Sequence, residues 1–191
     1  MTSMGDVDGY STIAFSPKQV FERVSQVCWD QNVTDMGGRQ WTEVVITPAD
    51  AIATIDGELH LAHTGPGTIG VDDTGSLHAP ETFGIKLAGP YDGLSIWQSG
   101  GLADNDPYYA HADAEGLASV AVRRQHCITD LGNGLVEVRI DQGASEYVRE
   151  VPGFFPTDAR VIFEDHNYTP TKDQPSDITF TWHWDNVVVT Q

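Results

Sequence analysis

Punctuation limits this chain more than any other feature. With 19 glycines and 10 prolines, no stretch of a dozen residues keeps a clean helical stripe. What remains is a series of short runs rich in β-branched and aromatic residues, at 42–48, 57–63, 82–89, 93–100, 118–131, 134–141, 158–168 and 179–189. Turn chemistry separates them, in "DG", "GPG", "DDTG", "GNG" and "PSD". Many short strands without alternating helices predict an all-β fold, a two-layer antiparallel β-sandwich. With 191 residues and no repeat, low-complexity tract or linker, a single domain over 1–191 is expected.

The stretch "LGNGLVEVRID" shows the local logic. Asn133-Gly134 favours a tight hairpin turn, after which Val136, Val138 and Ile140 share one face and Glu137, Arg139 and Asp141 the other. Residues 16–30, "SPKQVFERVSQVCWD", fit two periods. Val20, Val24 and Val27 could line a helix begun at Pro17, yet the β-branched content favours a strand.

Charge narrows the partners. Twenty-eight acidic against ten basic residues leave a net charge of −18, which disfavours nucleic acid and anionic membranes and leaves cations and neutral ligands. Nineteen of the acids are Asp, a residue of turns and metal loops. No apolar run approaches the roughly 20 residues that span a bilayer, so no membrane insertion is expected. The opening "MTSMGDVDGYSTIAFSP" has neither a basic region nor an apolar run of a secretory signal, which fits an internal protein or a mature form. Cys28 and Cys127 each adjoin strand-like sequence, and both a bridge and two buried thiols fit that placement.

Chemistry concentrates near the C-terminus. In "TFTWHWDNVVV", residues two apart share a face, so Trp182, Trp184, Asn186 and Val188 fall on one side and His183, Asp185, Val187 and Val189 on the other. The two indoles suit either a stacking platform for sugar rings or inter-sheet core, with core favoured for a Trp-rich strand. In "FEDHNYTPTKD", His166 and Tyr168 share a face, as the floor of a polar groove or as a cross-strand pair that only stabilises the sheet.

The segments "VIFEDHNYTPTKD" and "TWHWDNVVV" together resemble the C-terminal end of a family of secreted, largely uncharacterised actinobacterial proteins with a concanavalin A-like lectin/glucanase jelly roll. His166, Tyr168, Pro170, Lys172, Trp182, His183, Trp184, Asp185 and Asn186 carry the resemblance. It implies a secreted sandwich, on which the strand faces would let a groove of His166, Tyr168 and His183, with the pair Trp182 and Trp184, bind a glycan or polysaccharide. It also implies a structural calcium on Asp185, with Asp6 or Asp8 of "GDVDGY" opposite.

Catalytic patterns are sparse. Laminarinase-type enzymes on this fold carry carboxylates at alternate positions of one strand, about 5–5.5 Å apart for a retaining mechanism. Here Arg139 intervenes between Glu137 and Asp141, and holds both ionised where one should be protonated. No catalytic residue is therefore assigned. A lyase would draw on His166, Tyr168, His183, Arg139 and Gln125, but an acidic chain is a poor host for polyuronates. His60 and His63 fall on opposite strand faces, against shared zinc ligation. Three functions follow in order: non-catalytic glycan binding, a lyase or atypical glycosidase, and an assembly module that self-associates.

Overall fold

The computed structural model describes residues 2–3, 10–33, 40–55, 58–61, 71–72, 75–76, 81–88, 94–98, 108–112, 123–141, 143–168 and 180–191. These form sixteen strands: β1 (Thr2–Ser3), β2 (Tyr10–Phe15), β3 (Gln26–Val33), β4 (Gln40–Pro48), β5 (Ile52–Ile55), β6 (Glu58–Leu61), β7 (Val71–Asp72), β8 (Gly75–Ser76), β9 (Phe83–Ala88), β10 (Leu94–Gln98), β11 (Tyr108–Ala112), β12 (Arg124–Asp130), β13 (Leu135–Asp141), β14 (Glu146–Pro152), β15 (Ala159–Tyr168) and β16 (Phe180–Thr190). Two six-stranded antiparallel sheets form a sandwich. The first has the order β1-β16-β3-β12-β13-β14 and the second β11-β10-β9-β4-β15-β2, while β5-β6 and β7-β8 are separate ribbons.

The core is the expected consequence of alternation. Val136, Val138 and Ile140 of β13 are fully buried between the sheets, joined by Val27 and Trp29 from β3 and Ile128 from β12. From the second sheet come Val44, Ile46, Phe83, Ile85, Leu94, Ile96, Val161 and Phe163. Asn133-Gly134 does not make a two-residue turn. Gly132 and Gly134 take positive φ (73° and 80°) in a wider connection. Asp130 Oδ1 accepts from the Gly132 N–H and Asn133 Oδ1 from the Leu135 N–H. Those side-chain acceptors satisfy the turn's amides without a left-handed Asn.

Residues 16–25 are neither helix nor strand. Phe21 bridges to Ala159 and is buried, as is Val24, while Val20 is exposed, so the strand expected over 16–30 begins only at Gln26. β3 then alternates strictly, with Val27, Trp29 and Gln31 inward and Cys28, Asp30 and Asn32 on the outer side. Cys28 stands in direct register with Cys127 of β12, and the two form a disulfide. The two-thiol alternative is thereby set aside.

The outer side of the second sheet is also packed. Ile162, Val45, Gly84 and Trp97 lie in one register row across β15, β4, β9 and β10. Val45, Trp97 and Ile162 make a second buried apolar cluster. A Cβ on Gly84 would collide with the Trp97 ring, so glycine is what lets the indole lie flat across the sheet. Beside this row Thr47 and Thr82 share a 2.8 Å hydroxyl hydrogen bond. Among the described residues no helix is long and apolar enough to cross a membrane.

Candidate functional site

The site begins with a fault in β16. Trp182, His183, Trp184 and Asp185 pair with Val33, Asn32, Gln31 and Asp30, and the next pair is Val188 with Cys28. Asn186 and Val187 therefore oppose Trp29 alone, a β-bulge, and Asn186 takes a left-handed backbone with φ 49°. The expected alternation holds up to Asp185 and reverses beyond it. Trp184 faces the core before the bulge and Val189 after it, while Val188 is 57% exposed.

Outside, the bulge gathers a polar cluster. Asp30 Oδ2 accepts from Arg123 Nη2 at 2.6 Å, Arg123 Nε at 3.1 Å and Asn186 Nδ2 at 2.8 Å. Arg123 Nη2 also donates to Asp185 Oδ2 at 3.2 Å, and the Asn186 backbone N–H donates to Asp185 Oδ1 at 2.8 Å. The hydrogen bond from Arg123 holds the Asp30 carboxyl below the usual carboxylate range, and Asp30 in turn raises the guanidinium. Asp185 and Arg123 are more than half exposed and Asp30 is 15% exposed, so the cluster opens to solvent around one anchored carboxylate. His183, also exposed, is two residues before Asp185 on the same strand.

Asp185 was expected to hold calcium. Each of its oxygens accepts one hydrogen bond, Oδ2 from the Arg123 guanidinium and Oδ1 from the Asn186 N–H. Among the described residues no group of three His, Cys, Asp or Glu converges. Asp6 and Asp8 lie outside the described residues.

Inside, the same stretch turns aromatic and polar at once. The Trp184 ring packs on Phe163 of the opposite sheet (centroids 5.7 Å), Phe163 meets Trp29 edge-on at 6.0 Å, and Trp29 stacks on His126 at 5.3 Å. Trp29 Nε1 donates to Gln31 Oε1 at 3.0 Å. His126 Nδ1 lies 3.2 Å from the Arg124 carbonyl, an arrangement in which Nδ1–H donates. Burial pushes the His126 pKa down to about 4. Trp184 thus packs against the inter-sheet core, the placement favoured for a Trp-rich strand.

The other expected site residues lie elsewhere. His166 and Tyr168 belong to β15 in the second sheet, their Cα atoms paired with Thr12 and Tyr10, and His166 also with Trp41. Trp182, His183 and Trp184 belong to the first sheet, so one strand face does not unite the five. The side chains of His166, Tyr168 and Trp182 lie outside the described part.

Two positions before His166 stands a residue that spacing gave no reason to single out. Glu164 is in direct register with Glu43, and Glu43 with Lys86, so carboxylate, carboxylate and ammonium form a row across β15, β4 and β9. Glu164 is 0% and Glu43 3% exposed, and both make polar contacts. Asp30 and Arg123 were likewise missed. Only strand register brings any of these together.

The fold has clear counterparts. The chain overlays LamAcat from Zobellia galactanivorans with a TM-score of 0.53 at 11% identity, over 93% of this chain and 68% of that one. It overlays the legume lectin-like domain from Entamoeba histolytica with 0.53 at 10% identity, over 95% and 82%. The Emp46p carbohydrate recognition domain, in its potassium-bound form, gives 0.54 at 11% identity over 96% and 78%. The fold is that of the concanavalin A-like sandwiches. No family model matches the sequence, nor does any curated protein, so the likeness is one of architecture. Lectins and polysaccharide enzymes share this sandwich, and it is the site that must distinguish them.

Proposed function

We propose that this protein is a secreted, non-catalytic glycan-binding sandwich. Its binding surface is the bulge cluster of His183, Asp185, Asn186, Asp30 and Arg123 on the outer face of the first sheet. The carrying observation is that exposed carboxylate oxygens, an amide and a guanidinium converge there around the anchored carboxylate of Asp30. Neighbouring sugar hydroxyls both donate and accept, and such a mixed set answers both needs. The legume lectin-like domain and the carbohydrate recognition domain among the structural counterparts support this reading. The disulfide supports export, because such bonds persist in oxidising compartments. The strong negative charge favours neutral glycans over polyuronates.

The test is retention on a panel of immobilised neutral polysaccharides, for wild type, Asp185→Ala and His183→Ala. Wild type should be retained by at least one without forming product, and both variants should elute earlier. If no polysaccharide retains wild type, glycan binding is refuted.

One observation favours a second function, polysaccharide cleavage. The cross-strand pair of Glu43 and Glu164 puts two carboxylates side by side, as retaining glycosidases require. Their near-complete burial weighs against it. New reducing ends released by wild type and lost in Glu164→Gln would make it the leading function.

A further inference from the structure

The connection between β12 and β13 exposes one side-chain amide to attack by its own backbone. Asn133 Oδ1 accepts from the Leu135 N–H at 3.2 Å, so the side chain folds back along the peptide bond to Gly134. In a turn of this kind Cγ of Asn133 lies beside the Gly134 nitrogen, and a bond between those atoms closes a succinimide ring. The same hydrogen bond draws electron density from the side-chain carbonyl and makes Cγ a better electrophile.

Both the nucleophile and the leaving group are free to react. Among the described residues neither the Gly134 N–H nor Asn133 Nδ2 has a hydrogen-bond partner within the protein. Asn133 and Gly134 are exposed, and a Cβ built on Gly134 would meet nothing within 4 Å, so water and hydroxide reach the peptide unhindered. The other asparagines are placed differently. Asn32, Asn105, Asn167 and Asn186 precede Val33, Asp106, Tyr168 and Val187, whose side chains crowd the nitrogen that would attack. Asn186 also gives its amide to Asp30 and its backbone N–H to Asp185.

We infer that Asn133 is a site of spontaneous deamidation, with water as the co-reactant. The Gly134 nitrogen loses its proton to hydroxide and bonds to Asn133 Cγ. The Cγ–Nδ2 bond breaks, and the amide nitrogen takes a proton from water and leaves as ammonia. Water then opens the succinimide at either carbonyl, giving aspartate or isoaspartate; no group is oxidised or reduced.

The turn separates the two products. Aspartate at this position keeps the backbone and still offers an oxygen to the Leu135 N–H, as Asp130 does to Gly132 and Asp141 to Gly143. Isoaspartate routes the backbone through the side chain and lengthens it by a methylene. That extra length falls between two fixed contacts, Leu131 N–H to the Leu135 carbonyl at 2.9 Å and Gly153 N–H to the Gly134 carbonyl at 3.0 Å. The aspartyl protein keeps this end of the sheet and the isoaspartyl protein loses it.

Folded wild type is aged at mildly acidic and mildly alkaline pH and then mapped by peptide mass spectrometry, with enzymatic methylation to report isoaspartate. The peptide carrying Asn133 should lose its amide first, and faster at alkaline pH, while the peptides carrying Asn32 and Asn186 stay intact. Aged protein should resolve into a fraction that melts with Asn133→Asp and an isoaspartyl fraction that melts earlier. An intact Asn133 peptide in the folded chain, or one converted only after unfolding in urea, would overturn the site. Isoaspartyl protein that melts together with Asn133→Asp would overturn the separation of products by the turn.

Discussion

Trp29 and His126 lie face to face, their planes 11° apart on neighbouring strands in direct register. The imidazole is buried and neutral, with a pKa pushed down to about 4 from an ordinary value of 6.5. The unfolded chain therefore binds a proton that the native state refuses between those limits, so stability is complete above about pH 6.5 and falls as the pH drops towards 4. The loss should approach about 3 kcal/mol, at 1.36 kcal/mol per pKa unit. Urea midpoints measured from pH 7.5 to 4 should show this slope in wild type. They should show a flatter one in His126→Phe, which retains the stacked ring. Equal slopes would assign the acid sensitivity to other groups.

The Cys28–Cys127 bond closes a loop with a sequence separation of 99. Cross-links over loops of this length restrict the unfolded chain, and removal costs about 2–4 kcal/mol. Cys28→Ser with Cys127→Ser should lower the guanidinium midpoint accordingly, and reduction of wild type should reproduce the shift. A midpoint unmoved by either treatment would mean that the β3–β12 ladder alone holds this part of the sheet.

Gly84→Ala tests the outer packing of the second sheet. Its Cβ would collide with the Trp97 ring, which is bounded by Val45 and Ile162. Overpacking of this kind costs about 1–3 kcal/mol. The variant should melt earlier and lose near-ultraviolet ellipticity from the displaced indole, whereas an unchanged melt would show that the ring has room to slide.

Asn186 tests the bulge. Its left-handed backbone is tolerated by Asn and Gly but strained for β-branched residues. Asn186→Val should therefore be less stable than Asn186→Gly by about 1–2 kcal/mol. Both variants lose the amide hydrogen bond to Asp30, so their difference isolates the backbone. Equal unfolding midpoints would mean that the bulge relaxes on substitution.

Much of the sandwich is readable because alternation is local. Val136, Val138 and Ile140 can be assigned to the core from a seven-residue window; β9, β10, β12, β13 and β15 fall within the runs marked by their turns, and β4 and β16 overrun theirs by two residues and one. β14 is not readable in this way. Among the described strands it pairs only with β13, and its exposed residues break the period that signals a half-buried strand. The bulge in β16 is hidden for a different reason: Val187, Val188 and Val189 are alike in chemistry, so nothing in their order tells which of them faces the core.

Composition, turn residues and two-residue periodicity determined by themselves that this chain is a double sheet, with an acidic surface and aromatics near its C-terminal strand. Only the tertiary structure decided that Cys28 meets Cys127, that Asp30 and Arg123 join Asp185, that Glu43 stands beside Glu164, and that His166 and His183 lie on different sheets. Side-chain period is a property of neighbouring residues along one strand. Register is a property of two strands that are distant in the chain, set by how the whole core closes, and it is register that decides which functional groups touch.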